Sequence, residues 1–224
     1  PIDCGGSSIS NDMAILGTTT LALVGGGGDD GGGGAGGANQ NISSVNTATG
    51  SNNASGASIS SNSFTANSGN LIVVAIRFYR TSSSAAVSSV TDTAGNSYAF
   101  ATGLTSGYGD RLELWYAKNI SANSSNVVNV AFNSSVTYRV VNVAQYSGVD
   151  QLSPLDATAI STTQSGSTIT SNSFSTTFPD EVIISVPQVA SSLGSWTAGS
   201  GYQLRVQDSP SKIVMIQDRI VSST

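Results

Sequence analysis

Short stretches of alternating apolar and polar residues, separated by turn-forming residues, recur along most of this chain. Residues 111–117 place Leu112, Leu114 and Tyr116 on one side, and residues 126–132 bring Val128, Val130 and Phe132 together. In residues 137–146, Tyr138, Val140, Asn142, Ala144 and Tyr146 share a face opposite Arg139, Val141, Val143 and Gln145. A period of two is the signature of a half-buried strand. Residues 71–79 form the longest apolar run, and their β-branched content predicts a central strand. Further strands are expected at 58–66, 87–91, 97–102, 167–176, 181–189, 202–207 and 213–220. No segment carries a 3.6-residue stripe. The pattern predicts an all-β fold, an antiparallel β-sandwich of jelly-roll-like character, over residues 57–224.

The first 56 residues differ from the rest. Met13, Ala14, Ile15 and Leu16 form one apolar run, and Leu21, Ala22, Leu23 and Val24 form a second. The two are separated by Gly17 and three threonines. Residues 1–24 therefore read as an N-terminal tail with β-like character. Residues 25–56 read as a flexible Gly/Ser/Asn-rich linker, because a run such as Gly25–Gly28 and Gly31–Gly34 has almost no preferred backbone conformation. One internal similarity is visible: Ile59-Ser60-Ser61-Asn62-Ser63-Phe64 recurs as Ile169-Thr170-Ser171-Asn172-Ser173-Phe174, each copy leading into an apolar strand.

Composition narrows the functional classes. Charged residues make up 9% of the chain, well under the ~25% of an ordinary soluble domain. Ser, Thr, Asn and Gly take their place, as in secreted fibres, adhesins and shells. Eight Lys and Arg in a chain of net charge −5 offer no basic stripe for nucleic acid or an anionic membrane. No apolar stretch approaches the ~20 residues of a membrane span. The chain begins at Pro1 rather than Met, as expected of a processed polypeptide. There is no histidine, which removes the usual general base and most zinc sites, and the expectation is a protein that is not an enzyme. The single cysteine, Cys4, has no partner for an internal disulfide. It is either an incidental thiol or a point of intermolecular or lipid attachment.

The carboxylates weighed as catalytic pairs are Asp92, Asp110, Glu113, Asp150, Asp156, Asp180, Glu181, Asp208 and Asp218. Most lie at expected turns, where Asp is explained by backbone hydrogen bonds. Glu113 is expected to face solvent. No cofactor is expected. Ca²⁺ is the one candidate ion, held between strands or subunits by loop carboxylates such as Asp92, Asp110 and Asp156. N-x-S/T signals place candidate glycosylation at Asn119, Asn123 and Asn133 in expected loops, with further signals at Asn41 and Asn53. Trp115, Tyr116, Tyr138, Tyr146, Trp196 and Tyr202 are either core and rim residues or a platform for stacking sugars.

Three segments resemble a β-sandwich module of large bacterial and archaeal surface and secreted proteins: Val90-Thr91-Asp92-Thr93-Ala94-Gly95-Asn96-Ser97-Tyr98, then Leu114-Trp115-Tyr116-Ala117, then Gln145-Tyr146-Ser147-Gly148-Val149 leading to Pro154-Leu155-Asp156. The resemblance implies an extracellular location, a structural or adhesive role and no catalytic residues. It also implies a closing apolar strand beyond residues 213–221, where this sequence has only Ser222-Ser223-Thr224. A sandwich one strand short exposes an apolar groove and unpaired backbone groups. The apolar runs of residues 12–24 suit that groove. The expectation is a subunit of an extracellular filament or pilus-like appendage. It would be a homopolymer in which this segment fills the groove of a neighbouring copy, by strand addition of the donor-strand type. The alternatives are a tail folded onto its own domain, a carbohydrate-binding or cell-adhesion module with surface glycans as partners, and a viral capsid-decoration or fibre protein.

Overall fold

The structure is a computed structural model that describes residues 7–9, 15–26, 41–161, 168–190, 196–209, 211 and 213–222. The described residues form seventeen strands and no helix, so there is none long and apolar enough to cross a membrane. In chain order the first strands are β1 (Ser7–Ile9), β2 (Ile15–Val24), β3 (Ser43–Asn52), β4 (Gly56–Ser60), β5 (Phe64–Ala66) and β6 (Leu71–Tyr79). Then come β7 (Val87–Asp92), β8 (Ala99–Thr105), β9 (Asp110–Ala117), β10 (Asn123–Asn126) and β11 (Val128–Ser147). The chain ends with β12 (Leu155–Ser161), β13 (Thr168–Ile169), β14 (Glu181–Val189), β15 (Trp196–Thr197), β16 (Gln203–Gln207) and β17 (Met215–Val221).

Two large antiparallel sheets dominate. One has the order β3-β11-β6-β9-β8, with β4 and β7 pairing the first half of β11, and the other has the order β12-β2-β14-β17-β16. Small sheets of β10-β5 and β13-β1-β15 complete the fold. The all-β sandwich expected from the sequence is what forms.

The longest apolar run owes its character to burial on both faces. Leu71, Val73 and Ala75 of β6 enter the core between the two large sheets, together with Leu21, Leu114, Val182, Ile184 and Met215. Ile72, Val74, Ile76 and Phe78 enter a second core with Ile59, Val90, Val128, Val130 and Phe132. The molecule is therefore three layers deep around β6. β11 makes this possible by serving two layers: Val128 to Phe132 pair β7, while Val140 to Tyr146 pair β6. The sequence predicts two strands here, and the structure runs them together through a register shift near Tyr138, which sits at a φ of 49°.

The main differences from the sequence reading concern polar or small-residue segments. Residues 43–52, expected within the linker, form β3, an edge strand paired with β11 from Arg139 to Ser147. Thr49 donates its hydroxyl to Asn142 at 2.7 Å, anchoring the strand by side chains as well as backbone. β12 was not expected at all. The expected strand at 58–66 divides into β4 and β5, and that at 167–176 keeps only Thr168–Ile169. The two copies of the Ile-x-Ser-Asn-Ser-Phe repeat lead into β6 and β14, each a strand buried along nearly its whole length.

Candidate assembly site

The N-terminal apolar runs occupy an interior position. β2 lies between β12 and β14, with Leu23 opposite Leu155 on one side and Val182 on the other, and Thr20 opposite Ala159 and Ser185. Leu21 and Leu23 point into the main core, whereas Ala22 faces outward beneath Ile183 and Tyr202. Leu16, Thr18, Thr19, Thr20, Leu21, Ala22, Leu23 and Val24 are all buried. Of the predicted donor residues, Ile15 lies in β2, while Met13 and Ala14 fall outside the described residues. Without β2, the partners β12 and β14 would part and leave two rows of unpaired backbone groups over an open core. The missing strand that the resemblance implied beyond residues 213–221 is therefore not found: β17 has neighbours on both sides, and the chain's own β2 lies between β12 and β14, which is the alternative of a tail folded onto its own domain.

At the leading end of β2, Gly17 has a φ of 112°, a conformation that favours glycine. Gln188 is opposite Gly17 but Val189 is opposite Ile15, so Leu16 is an extra residue in the ladder. A side chain at position 17 would clash with the Ser161 carbonyl oxygen and press on Leu104.

At the trailing end, the chain is held by the third of the segments that suggested a surface-protein module. Val24 N–H donates to the Pro154 carbonyl at 2.8 Å, and Asp150 N–H donates to the Val24 carbonyl at 2.9 Å. Gly25 bridges to Val149, and Gly26 N–H donates to the Gly148 carbonyl at 2.9 Å. Gly148 has a φ of 73°, and a Cβ there would stand 2.7 Å from the Asn41 carbonyl oxygen. Gly26 and Asn41 therefore both lie against Gly148, with residues 27–40 connecting them.

The first part of the motif is a turn staple. Asp92 accepts hydrogen bonds from Asn96 N–H, Asn96 Nδ2, Tyr98 Oη and Asn126 Nδ2 at 2.8–3.0 Å. These donors hold its carboxyl below the usual carboxylate range despite burial. Most of the other carboxylates weighed for chemistry are also occupied, while Asp180 is engaged here through its backbone carbonyl. Asp110 pairs with the buried Arg77, and burial outweighs that pairing to raise its carboxyl. Glu113 is buried rather than facing solvent, accepting from Arg111 Nε and Trp115 Nε1 at 2.9 Å each. Asp150 accepts from Leu152 and Ser153 N–H, and Asp156 from the Thr177 hydroxyl and N–H. The Asp180 carbonyl takes the Gly25 N–H, Asp208 accepts from Val214 N–H, and Asp218 pairs with Arg205. Among the described residues, no three His, Cys, Asp or Glu converge on a point where a metal ion would sit.

Glu181 stands apart. It is fully buried at the trailing end of the slot, opposite Val24 and Val221. Burial, and secondarily the neighbouring Asp156 carboxylate, push its carboxyl up to about 7.

The remaining candidates are scattered. Asn119 is exposed at a φ of 46°. Asn123 and Asn133 were expected in loops, but Asn123 opens β10 and Asn133 lies within β11; Asn123 accepts from Ser125 N–H and donates to Thr93, and Asn133 accepts from Ala86 N–H and donates to Ser84, so both amides are engaged. Tyr146, Trp196 and Tyr202 are buried, Trp115 packs edge-on against Phe100, and Tyr138 lies far from them beside Tyr79. The six aromatic residues do not form one platform. Cys4 lies outside the described residues. No protein-family model, no curated protein and no solved structure matches the chain.

Proposed function

We propose that this chain is a structural, non-catalytic subunit of an extracellular filament or pilus-like appendage, polymerising by insertion of its N-terminal strand into a neighbouring copy. The observation that carries the reading is an interior strand on an overlong tether. Gly26 and Asn41 lie against one residue, a separation that a few residues would close. Fourteen residues, 27–40, connect them and reach roughly 46–50 Å when extended. The nine residues of β6 span about 30 Å. The extended tether thus outreaches the length of β6, the central strand of the larger sheet. Repeated head to tail, such a contact is heterologous and yields an open filament. A surface wetted by neutral Ser, Thr and Asn side chains suits the same setting.

Cysteine trapping tests the proposal. Thr20 and Ser185 are directly opposed in the slot, at a spacing of about 4.5–5.5 Å for antiparallel partners that a disulfide bridges. Two differently tagged chains, one Thr20→Cys and one Ser185→Cys, both with Cys4→Ser, are assembled together and oxidised. A disulfide between the two tags is expected. If the mixture never links while a chain carrying both cysteines closes within itself, the subunit is a sealed monomer and the proposal is wrong.

A second, adhesive reading has one observation in its favour. Tyr79, Tyr108 and Tyr138 are exposed at the end of the molecule opposite the tether, with Tyr79 and Tyr138 edge to face at 6.5 Å. Glycan-array binding that is lost in Tyr138→Ala would support it.

A further inference from the structure

We infer that the slot between β12 and β14 accepts only residues 15–24 of a second copy of this chain, in a single register, and that Gly17 and Ala22 are the two positions it reads. The inference rests on the donor-strand reading. It goes beyond that reading because strand addition through backbone hydrogen bonds is indifferent to sequence, whereas this slot is not.

Three features of the slot select. The first is steric and conformational at once. Position 17 has a φ of 112°, and a Cβ there would drive into the Ser161 carbonyl of β12, which is backbone and cannot turn aside. The second is the extra residue at Leu16, which fixes the bulge next to Gly17 and so ties the register to that glycine. The third is the outer face. Ala22 is fully buried with Ile183 and Tyr202, with Phe174 and Ala198 packed alongside, so a longer side chain there must displace these neighbours. A slip of one residue would turn Leu21 and Leu23 away from the main core. A slip of two would put Ile15 or Thr19 at the glycine position and Thr20 or Val24 at the alanine position. Neither alternative fits, so one sequence in one alignment remains.

The test uses the full-length chain and labelled synthetic peptides of residues 15–24, followed by gel filtration under conditions where the chain exchanges its own strand. The natural peptide and a Thr18→Ser control, which keeps the hydroxyl facing Ser185, are expected to be incorporated. Gly17→Ala and Ala22→Leu peptides are expected to be incorporated at least tenfold less. Equal incorporation of the Gly17→Ala and natural peptides would overturn the selectivity and leave strand donation standing. Failure of every peptide, with the Thr20–Ser185 disulfide found only inside one chain, would overturn both.

Discussion

Glu181 shows how one side chain ties the trailing end of the slot to pH. Its carboxyl is at about 7 in the folded chain and near 4.5 when unfolded. A raised value means that the folded state holds the proton more tightly, so this group favours folding fully below about pH 4.5 and loses that contribution as pH rises through 7. Glu181→Gln is expected to flatten the part of the stability curve between those two values, read as the difference from wild type in urea denaturation across pH. Asp156 is shifted the other way, downward, so its contribution fades only at more acidic pH and does not overlap. Asp92 is a simpler case. Replacing it with Ala leaves the donors of Asn96, Tyr98 and Asn126 without their acceptor. The expected loss is about 2–3 kcal/mol, measured by thermal denaturation. This staple was legible as a motif before it was legible as geometry, because Asp, Gly and Asn at those spacings already specify a turn. Glu113 was misread because alternation assigns a face but not what covers it; Arg111 and Trp115 close over the carboxylate.

At the scale of elements, β6 and β14 were readable almost to the residue, since burial on two faces writes an unbroken apolar run into the sequence. β3 was missed for the opposite reason. Its residues are Ser, Asn, Thr and Gly, and the only hint is the β-branched alternation of Val45, Thr47 and Thr49. β12 is short of large apolar residues because it lies at the edge of its sheet, with β2 as its neighbour. The apolar tail was read as a strand that fills a groove, in a neighbouring copy or in its own domain, and β2 does lie inside a sheet of its own chain; its place between β12 and β14 was not legible, because β12 itself carries no strong apolar pattern. The tether supplies the sharpest test at this scale. Deleting residues 29–36 leaves six residues between Gly26 and Asn41, ample to close on Gly148 but with a reach of only about 20 Å. The shortened chain is expected to be a monomer in analytical ultracentrifugation. Its melting should be unchanged or slightly improved, since shortening a loop recovers less than about 1 kcal/mol.

For the whole molecule, the seam that would join subunits under the proposed strand exchange consists of backbone hydrogen bonds and apolar side chains, with charge on its strands confined to Glu181 and Asp156 at one end. Polymer mass measured by light scattering is therefore expected to change little between 50 mM and 1 M salt, in contrast to assemblies held by surface ion pairs, which weaken as screening grows. A steep fall with salt would show that a different surface carries the contact.

The meeting of Gly26 and Asn41 at one glycine has a consequence for energetics. Under the proposed exchange, a copy that sheathes itself and a copy that lends its arm would make the same hydrogen bonds and bury the same leucines. The two forms would then be nearly isoenergetic, so growth would draw on no new contact and would be governed by concentration and by the rate at which arms come loose. Dilute subunits would stay closed, and concentrated ones would trade arms and lengthen.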